Sequence, residues 1–211
     1  MPTLAIDPGI RALIEIGVVE AAPVGVGPAG RELTEEIGAL CARLAKEHAG
    51  RPPSEIEALA PARRLYRAFG IDPTSTRPSS ESLLRRILQG KPFPSVNSAV
   101  DVCNLCSTSF LLPIGLYDAA RIRGDVILRR GGAGESYAGI RKESVNVSGR
   151  PVLADAEGPF GNPTSDSQRT CVTGATAALY MVIFAPSAYP AALLEAHSAF
   201  ARSAIRRHLP A

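Results

Sequence analysis

Three polar side chains at helical spacing form the sharpest local pattern in the sequence. Asn97, Asp101 and Asn104 occupy positions i, i+4 and i+7 within residues 94–104, PSVNSAVDVCN. If this segment is a helix, all three lie on one face. Such groups need partners on a half-buried face, because burying them unpaired costs free energy. They could bind a substrate, or Asn97 could cap the helix within a structural network; we favour the network over direct catalysis.

A polar segment further along the chain offers a second set of reactive groups. Residues 161–170, GNPTSDSQRT, begin with a glycine that lets a ligand approach the backbone closely. Asp166 could orient water as a general base, and Arg169 carries a fork suited to a carboxylate or a phosphate. The same side chains could instead hydrogen-bond their own backbone. The catalytic candidate is Asp166, and the binding candidates are Gly161, Asn162, Thr164, Ser167, Arg169 and Thr170.

Basic residues are unevenly spread, although the whole chain carries a formal charge of only +3. Seven basic and two acidic residues lie between Arg63 and Lys91, and seven and three lie between Arg121 and Arg150. Such runs can follow a phosphate backbone, whereas a short basic run more commonly forms a solvated helix face. The RNA-binding candidates are Arg63, Arg64, Arg67, Arg85 and Arg86.

Other site chemistries find no support in the sequence. Cys103 and Cys106 form a C-x-x-C pair, but the remaining cysteines and the three histidines offer no second pair, so we predict no metal site. The histidines lie in predicted terminal helices, outside any nucleophile motif, and no G-x-x-x-x-G-K-[ST] loop occurs. We therefore expect no cofactor.

The composition is that of an ordinary globular protein. Hydrophobic residues make up 45% and charged residues 20% of the 211 residues, enough for one large domain with a sizeable core. No apolar run approaches the roughly 20 residues of a membrane span, and no signal peptide is recognisable. Four scattered cysteines indicate a reducing compartment. We expect a cytoplasmic protein without a membrane partner.

Hydrophobic periodicity indicates the elements that would position these groups. Helices are predicted from Thr34 to Gly50, around Arg63–Gly70 after a capping box of Ser54 and Glu57, over Leu83–Leu88, after Asn97, and after Pro190. In the last of these, Leu193, Leu194, Phe200 and Ile205 are expected to face inward. Strands are predicted at Ile14–Val19, Ser109–Ile114, Asp125–Arg129 and Cys171–Ala185, although Ala175–Met181 could also be helical. A hairpin is predicted around Gly149 and a loop over Asp155–Thr170.

Residues 94–104, followed by LPIGLYD at residues 112–118, resemble the B3 region of phenylalanyl-tRNA synthetase beta subunits. That family carries Pro-Ile-Asn-Asn-Val-Val-Asp-Val-Thr-Asn followed by Pro-Leu-His-Ala-Phe-Asp. Residues 125–130, 134–135 and 152–155 resemble later parts of the same region in the same order, so the resemblance covers roughly Tyr66 to Pro186. This chain departs from the pattern at Gly115, where the family has a histidine that lines its editing pocket. Residues 158–170 look like those of stand-alone B3/B4 proteins, which lack an aminoacylation domain.

The resemblance implies an α+β fold, with a central sheet surrounded by helices. It implies a single domain over residues 1–211 whose core spans about residues 64–186. The implied partner is tRNA or aminoacyl-tRNA rather than DNA, with hydrolysis of a mischarged aminoacyl ester in trans as a further activity and no aminoacylation. A non-catalytic module that binds RNA or an amino-acid-like ligand is the alternative. If the ester is hydrolysed, Gly115 is expected to widen the pocket at the place of the missing histidine.

Overall fold

The computed structural model describes residues 2–140 and 142–211 of the chain. The elements in chain order are β1 (Leu4–Ile6), β2 (Ile14–Ala21), α1 (Arg31–Glu47), α2 (Ala60–Ala68), α3 (Ser79–Leu88), α4 (Ser98–Phe110), β3 (Ile114–Asp118), β4 (Val126–Arg130), β5 (Ser136–Gly139), β6 (Lys142–Asn146), β7 (Pro151–Asp155), β8 (Gly158–Asn162), β9 (Ser165–Asp166), β10 (Leu179–Pro186) and α5 (Ala191–His208). Short 3₁₀ turns occupy Pro53–Glu55, Glu57–Leu59 and Ala119–Arg121. This mixture of helices and mainly antiparallel strands confirms the α+β class, with the strands divided among three sheets.

A three-stranded sheet crosses the interior in the order β2-β10-β3, with both pairings antiparallel. All eight residues of the central strand β10 are buried, because helices and the neighbouring sheet cover its two faces. Its sequence LYMVIFAP is accordingly a continuous run of apolar residues rather than an alternating one. The sheet therefore provides a rigid support for the residues on β3.

A five-stranded sheet in the order β1-β4-β7-β8-β9 lies beside it, with β1 parallel to β4 and the other pairs antiparallel. The edge strand β9 also contacts β3 of the three-stranded sheet. The short pair β5-β6 joins the same edge through a bridge between Gly139 and Ser167. All three sheets therefore meet around β9.

Two hydrophobic clusters fill the space on either side of the three-stranded sheet. Residues of α1, α3, α4 and α5 form one, and Leu33, Leu40 and Leu44 of α1 contribute at helical spacing. Residues of α2 and of both large sheets form the other, which includes Tyr66, Tyr117, Phe160 and Phe184. The predicted helices thus exist because each has an apolar stripe that these clusters bury.

The predicted strand Ser109–Ile114 is wrong, because α4 continues to Phe110 and β3 begins only at Ile114. Leu111 ends the helix in the left-handed region, with φ of 55°. The predicted hairpin around Gly149 is also wrong. The turn is present, with a hydrogen bond of 2.9 Å from the Arg150 N–H to the Val147 carbonyl, but β6 pairs with β5 and β7 pairs with β4 and β8.

Three further expectations fail for identifiable reasons. The predicted loop Asp155–Thr170 contains β8 and β9, because the buried Phe160 ties this polar segment to the core. Ser54 and Glu57 lie in 3₁₀ turns with no side-chain cap, and α2 begins at Ala60. Leu193 and Phe200 are exposed on α5, whereas Leu194 and Ile205 are buried as predicted.

Candidate functional site

The Tyr117 hydroxyl occupies a space that exists because two glycines flank it. Tyr117 and Gly115 are two residues apart on β3 and so face the same side of the sheet. A Cβ atom at Gly115 would lie 2.1 Å from the Tyr117 hydroxyl oxygen, and one at Gly161 of β8 would lie 2.2 Å from it. Both distances are far inside van der Waals contact. The expectation that Gly115 widens a pocket is therefore wrong, because the phenol fills the space that a side chain would take.

Asp166 brings a carboxyl group from β9 to the junction of the two larger sheets. Its Oδ2 accepts a long hydrogen bond of 3.4 Å from the Leu116 N–H. Its Oδ1 is buried, and among the described residues neither Oδ1 nor the Tyr117 hydroxyl has a hydrogen-bond partner of standard geometry. Burial raises the pKa of Asp166 from 3.8 to about 7, against the opposing effects of Tyr117 and the Leu116 N–H. A group with that pKa exchanges its proton near neutral pH, as general acid–base chemistry requires.

A second phenol lies close to the same carboxyl group. Tyr137 of β5 donates a hydrogen bond to the Ser165 carbonyl oxygen. Burial, and then the nearby charge of Asp166, raise the pKa of the Tyr137 phenol. The same two causes, in the same order, raise the pKa of Tyr117. We call Asp166, Tyr117, Tyr137, Gly115 and Gly161 the Asp166 cluster.

The polar side chains at the start of α4 form hydrogen bonds within their own segment of the chain. Asn97 is the predicted N-cap, and its Oδ1 accepts a hydrogen bond of 2.9 Å from the Val100 N–H. The buried Asp101 carboxylate accepts from the Ser95 hydroxyl at 2.6 Å and from the Val96 N–H at 2.9 Å. Asn104 lies half-buried two turns after the cap. These bonds tie the start of α4 to the preceding residues, which is the structural interpretation.

Local hydrogen bonds also hold the turn between β8 and β9. The Asn162 Oδ1 accepts from the Thr164 N–H at 2.7 Å, from the Thr164 hydroxyl at 2.6 Å and from the Ser165 N–H at 2.9 Å. After β9, the hydroxyls of Ser167 and Thr170 are 2.9 Å apart and both side chains are buried. The polar groups of this segment therefore bond mainly to their own backbone and to one another, as one of the two interpretations predicted.

The Arg169 guanidinium is already occupied by a carboxylate. Its two terminal nitrogens donate to the two oxygens of Asp155 at 3.0 and 2.8 Å, a bidentate pair, and one of them also donates to the Arg121 carbonyl at 3.1 Å. The guanidinium carbon also lies 5.6 Å from the centre of the Phe160 ring. The use of this fork for a substrate anion stays a prediction, and it would require Arg169 to exchange Asp155 for that anion.

Two of the five predicted RNA-binding arginines are engaged with a buried acid. The Nε atoms of Arg63 and Arg85 lie 2.8 and 2.9 Å from the Glu81 carboxylate, which is 2% exposed. Burial raises the pKa of Glu81, but the hydrogen bonds and charges of Arg63 and Arg85 outweigh it and lower that pKa overall. Arg63 therefore anchors α2 to α3, whereas Arg85 pairs with Glu81 within α3 itself. Arg64 and Arg67 are exposed on α2, and Arg86 is exposed while bonding to the Pro92 carbonyl.

The structure brings Asp166, Gly115 and Gly161 together around Tyr117. Most of the other candidates bond within separate networks, whereas Arg64 and Arg67 are exposed. Sequence reasoning missed Tyr117 and Tyr137, and it missed the role of Glu81. The spacing of Gly115 and Tyr117 on one strand was the available signal for Tyr117, because a tyrosine can lie across a glycine two residues away. Glu81 was visible as one of only two acids inside the basic run.

No metal-binding arrangement of His, Cys, Asp and Glu is found among residues 2–140 and 142–211. Cys103 and Cys106 are buried on α4, and burial is the largest cause that raises the pKa of each thiol. Such thiols stay protonated and are poor nucleophiles. Within the same ranges, no helix has the length and apolar character needed to cross a membrane.

Fold and site together define an α+β protein with a buried carboxyl group where its sheets meet. The sequence profile of the B3/4 domain family matches residues 61–198, and the chain belongs to that family. It is 32% identical over 65 residues to the phenylalanine–tRNA ligase beta subunit of Paramagnetospirillum magneticum, across 30% of this chain and 8% of that protein. It is also similar to an N-terminal fragment of the phenylalanyl-tRNA synthetase beta-subunit from Pyrococcus horikoshii, with a TM-score of 0.47 and 14% identity. That match covers 96% of this chain and 48% of the fragment.

Proposed function

We propose that this chain binds tRNA or aminoacyl-tRNA and hydrolyses a mischarged aminoacyl ester. Membership of the B3/4 domain family, with a tRNA ligase subunit among its relatives, supports the RNA partner. The Asp166 cluster supports the hydrolysis, and it is the observation that carries the proposal. Asp166 combines a pKa of about 7 with a buried Oδ1 that has no hydrogen bond of standard geometry among the described residues, although the Tyr117 hydroxyl lies close enough to its carboxyl group to oppose the rise of that pKa.

In the proposed reaction Asp166 acts as the general base. Its ionised carboxylate would accept a proton from a water molecule as the water attacks the ester carbonyl, and it would return that proton to the ribose oxygen of the tRNA as the ester C–O bond breaks. The Tyr117 hydroxyl would be free to donate a hydrogen bond to the carboxylate or to the developing oxyanion. No protein nucleophile is needed, because a positioned water and a general base are sufficient for ester hydrolysis. The ester must reach the buried Oδ1, so a substrate has to displace part of the structure that surrounds this atom.

A non-catalytic RNA- or amino-acid-binding module is the second candidate function. The burial of the Asp166 Oδ1 favours it, since a substrate cannot touch this atom without such a displacement. The Tyr117 phenol also favours the non-catalytic module, because it fills the space at Gly115 that a substrate would otherwise enter.

Incubation with a panel of labelled aminoacyl-tRNAs, with binding and ester loss measured together, separates the two. We expect the parent protein to release the amino acid from at least one member of the panel. Asp166→Asn should lower that rate roughly 100-fold or more while leaving binding intact. Glu55→Gln, an exposed acid, is the matched control and should keep the parent rate. Binding without any ester loss by the parent would replace the enzyme with the binding module.

We propose the exposed face of α2 as part of the RNA-binding surface. Arg64 and Arg67 are exposed, and no ion pair involves them within the described part of the chain. Replacing both with Glu should weaken tRNA binding and flatten its dependence on salt, because fewer counterions are released. Arg31, 91% exposed on α1, gives a charge-reversal control. Unchanged affinity with an unchanged salt slope would exclude this surface.

A further inference from the structure

A polar basin lies beside the β8–β9 turn. It has a volume of about 530 Å³, which is in the range of small-molecule sites. Its walls come from the segment between α2 and α3, from β6, from the turn after β6 and from the β8–β9 turn. Six of its lining residues define the polar basin: Thr76, Arg77, Ser144, Asn146, Arg150 and Thr164.

The charge of the basin is one-sided. Arg77 and Arg150 both line it, and no carboxylate is among the described residues that do so. Within the described chain no acidic side chain pairs with Arg150, whereas Arg169 and Arg63 each hold one. Arg77 approaches Glu81 only at 3.7 Å, and Glu81 already accepts closer bonds from two other arginines. Two guanidinium groups therefore face the basin with most of their donors unused.

The neutral groups of the basin can add donors to the same ligand. The Asn146 Oδ1 accepts from the Ser148 N–H at 2.8 Å, which leaves the Asn146 amide hydrogens to donate. The hydroxyls of Thr76 and Ser144 line the basin beside it. Charged forks with nearby hydroxyl and amide donors are the arrangement that recognises phosphate oxygens.

The wall beneath Arg150 is firmly held. Tyr66 of α2 donates a buried hydrogen bond of 2.7 Å to the Pro163 carbonyl in the β8–β9 turn. Burial raises the pKa of Tyr66, and the nearby charge of Arg150 lowers it, so Arg150 lies close to this phenol. A guanidinium on a fixed wall loses less freedom when it binds an anion than one on a mobile side chain does.

We propose that the polar basin binds a phosphate ester group of a nucleotide, held by Arg77 and Arg150. The binding of tRNA by this basin rests on the proposed function. It adds to that function a contact for the tRNA next to strand β9, which carries Asp166. The same chemistry would hold the phosphate of a free nucleotide, and the experiment separates these two sources.

The test measures the affinity of two probes, a labelled tRNA and AMP, for the parent and for four variants. Arg150→Gln and Arg77→Gln should each lower the affinity for the probe that binds by roughly tenfold to hundredfold. That is the range for the loss of a hydrogen bond to a charged group. Arg206→Gln removes an exposed arginine of α5 and is the matched control, with no change expected. Arg150→Lys keeps the positive charge but lacks the planar guanidinium, so it should cause an intermediate loss of affinity. It also serves as the test variant if Arg150→Gln does not fold.

The outcomes keep this inference separate from the proposed function. Arginine-dependent binding of tRNA supports both, and arginine-dependent binding of AMP without any tRNA binding supports the basin and refutes the RNA partner. If tRNA binds the parent and both basin variants equally, the basin proposal is overturned while the RNA partner stands. It is also overturned if the parent binds neither probe.

Discussion

At neutral pH the buried Asp166 carboxyl group should destabilise the fold, and Asp166→Asn should remove that cost. Burial raises the pKa of Asp166 in the folded chain to about 7, from the ordinary value of 3.8. Between these two values the unfolded chain has lost the proton and the folded chain still holds it. Stability therefore falls as the pH rises through this interval and levels off above about 7.

The magnitude follows from the two pKa values. At about 1.36 kcal/mol for each pH unit, the interval from 3.8 to about 7 amounts to about 4 kcal/mol, of which about 3 kcal/mol lies between pH 5 and pH 8. Asparagine has nearly the same shape and no charge at any of these pH values. The free energy of unfolding of Asp166→Asn, minus that of the parent, should accordingly grow by about 3 kcal/mol from pH 5 to pH 8.

Taking the difference between the two proteins removes the other titrating groups. Burial lowers the pKa of His197 below 6.5, so His197 makes both proteins more stable as the pH rises. Asp155 and Glu81 have lowered pKa values, and the stability they contribute is lost only at acidic pH, below the range used. Urea unfolding at pH 5, 6, 7 and 8 gives each free energy, with Asp125→Asn as an exposed control. Parallel pH profiles for the parent and Asp166→Asn would refute the reasoning.

Two further predictions concern packing and the buried acid. Gly161→Ala should lower the free energy of unfolding by roughly 1–3 kcal/mol, because its Cβ would lie 2.2 Å from the Tyr117 hydroxyl. Adding Tyr117→Phe to this variant should restore part of the lost stability. If urea unfolding shows no recovery in the double variant, the clash is not the cause. Arg63→Ala should cost roughly 1–3 kcal/mol by removing a hydrogen bond to the buried Glu81, whereas Arg67→Ala on the same helix should stay within about 0.5 kcal/mol. Equal losses for Arg63→Ala and Arg67→Ala in thermal unfolding would contradict the anchoring role of Glu81.

Local sequence signals predicted the elements whose own pattern determines them. The i, i+3 and i+4 stripe of α1 and the Asn97 cap of α4 are confirmed, because both depend on residues within a few positions. The predicted hairpin around Gly149 is wrong because strand pairing is a long-range choice. β7 turns away from β6 and pairs with β4, which is more than twenty residues earlier in the chain. Nothing in residues 145–153 alone encodes that choice.

The candidate site shows the same division between local and distant information. The polarity of residues 161–170 was visible, and the Asn162 turn follows from local chemistry. The partners of Arg169 and Arg63 were not visible, because Asp155 and Glu81 meet them only after the sheets and helices are assembled. A basic run counted along the sequence therefore overstates the charge that remains free for RNA.

The two kinds of experiment on Asp166 together decide what its burial means. A carboxyl group with a pKa of about 7 and an unpartnered oxygen is consistent with a general base and also with a costly structural position. If Asp166→Asn stabilises the chain at pH 8 and also abolishes ester hydrolysis, the stability cost and the activity belong to the same group, as expected where a site is strained for function. If it stabilises the chain while the parent hydrolyses no ester, the pKa is a consequence of packing beside Tyr117. The proposed RNA-binding surface of α2 and the proposed phosphate site in the polar basin would then carry the function without chemistry at Asp166.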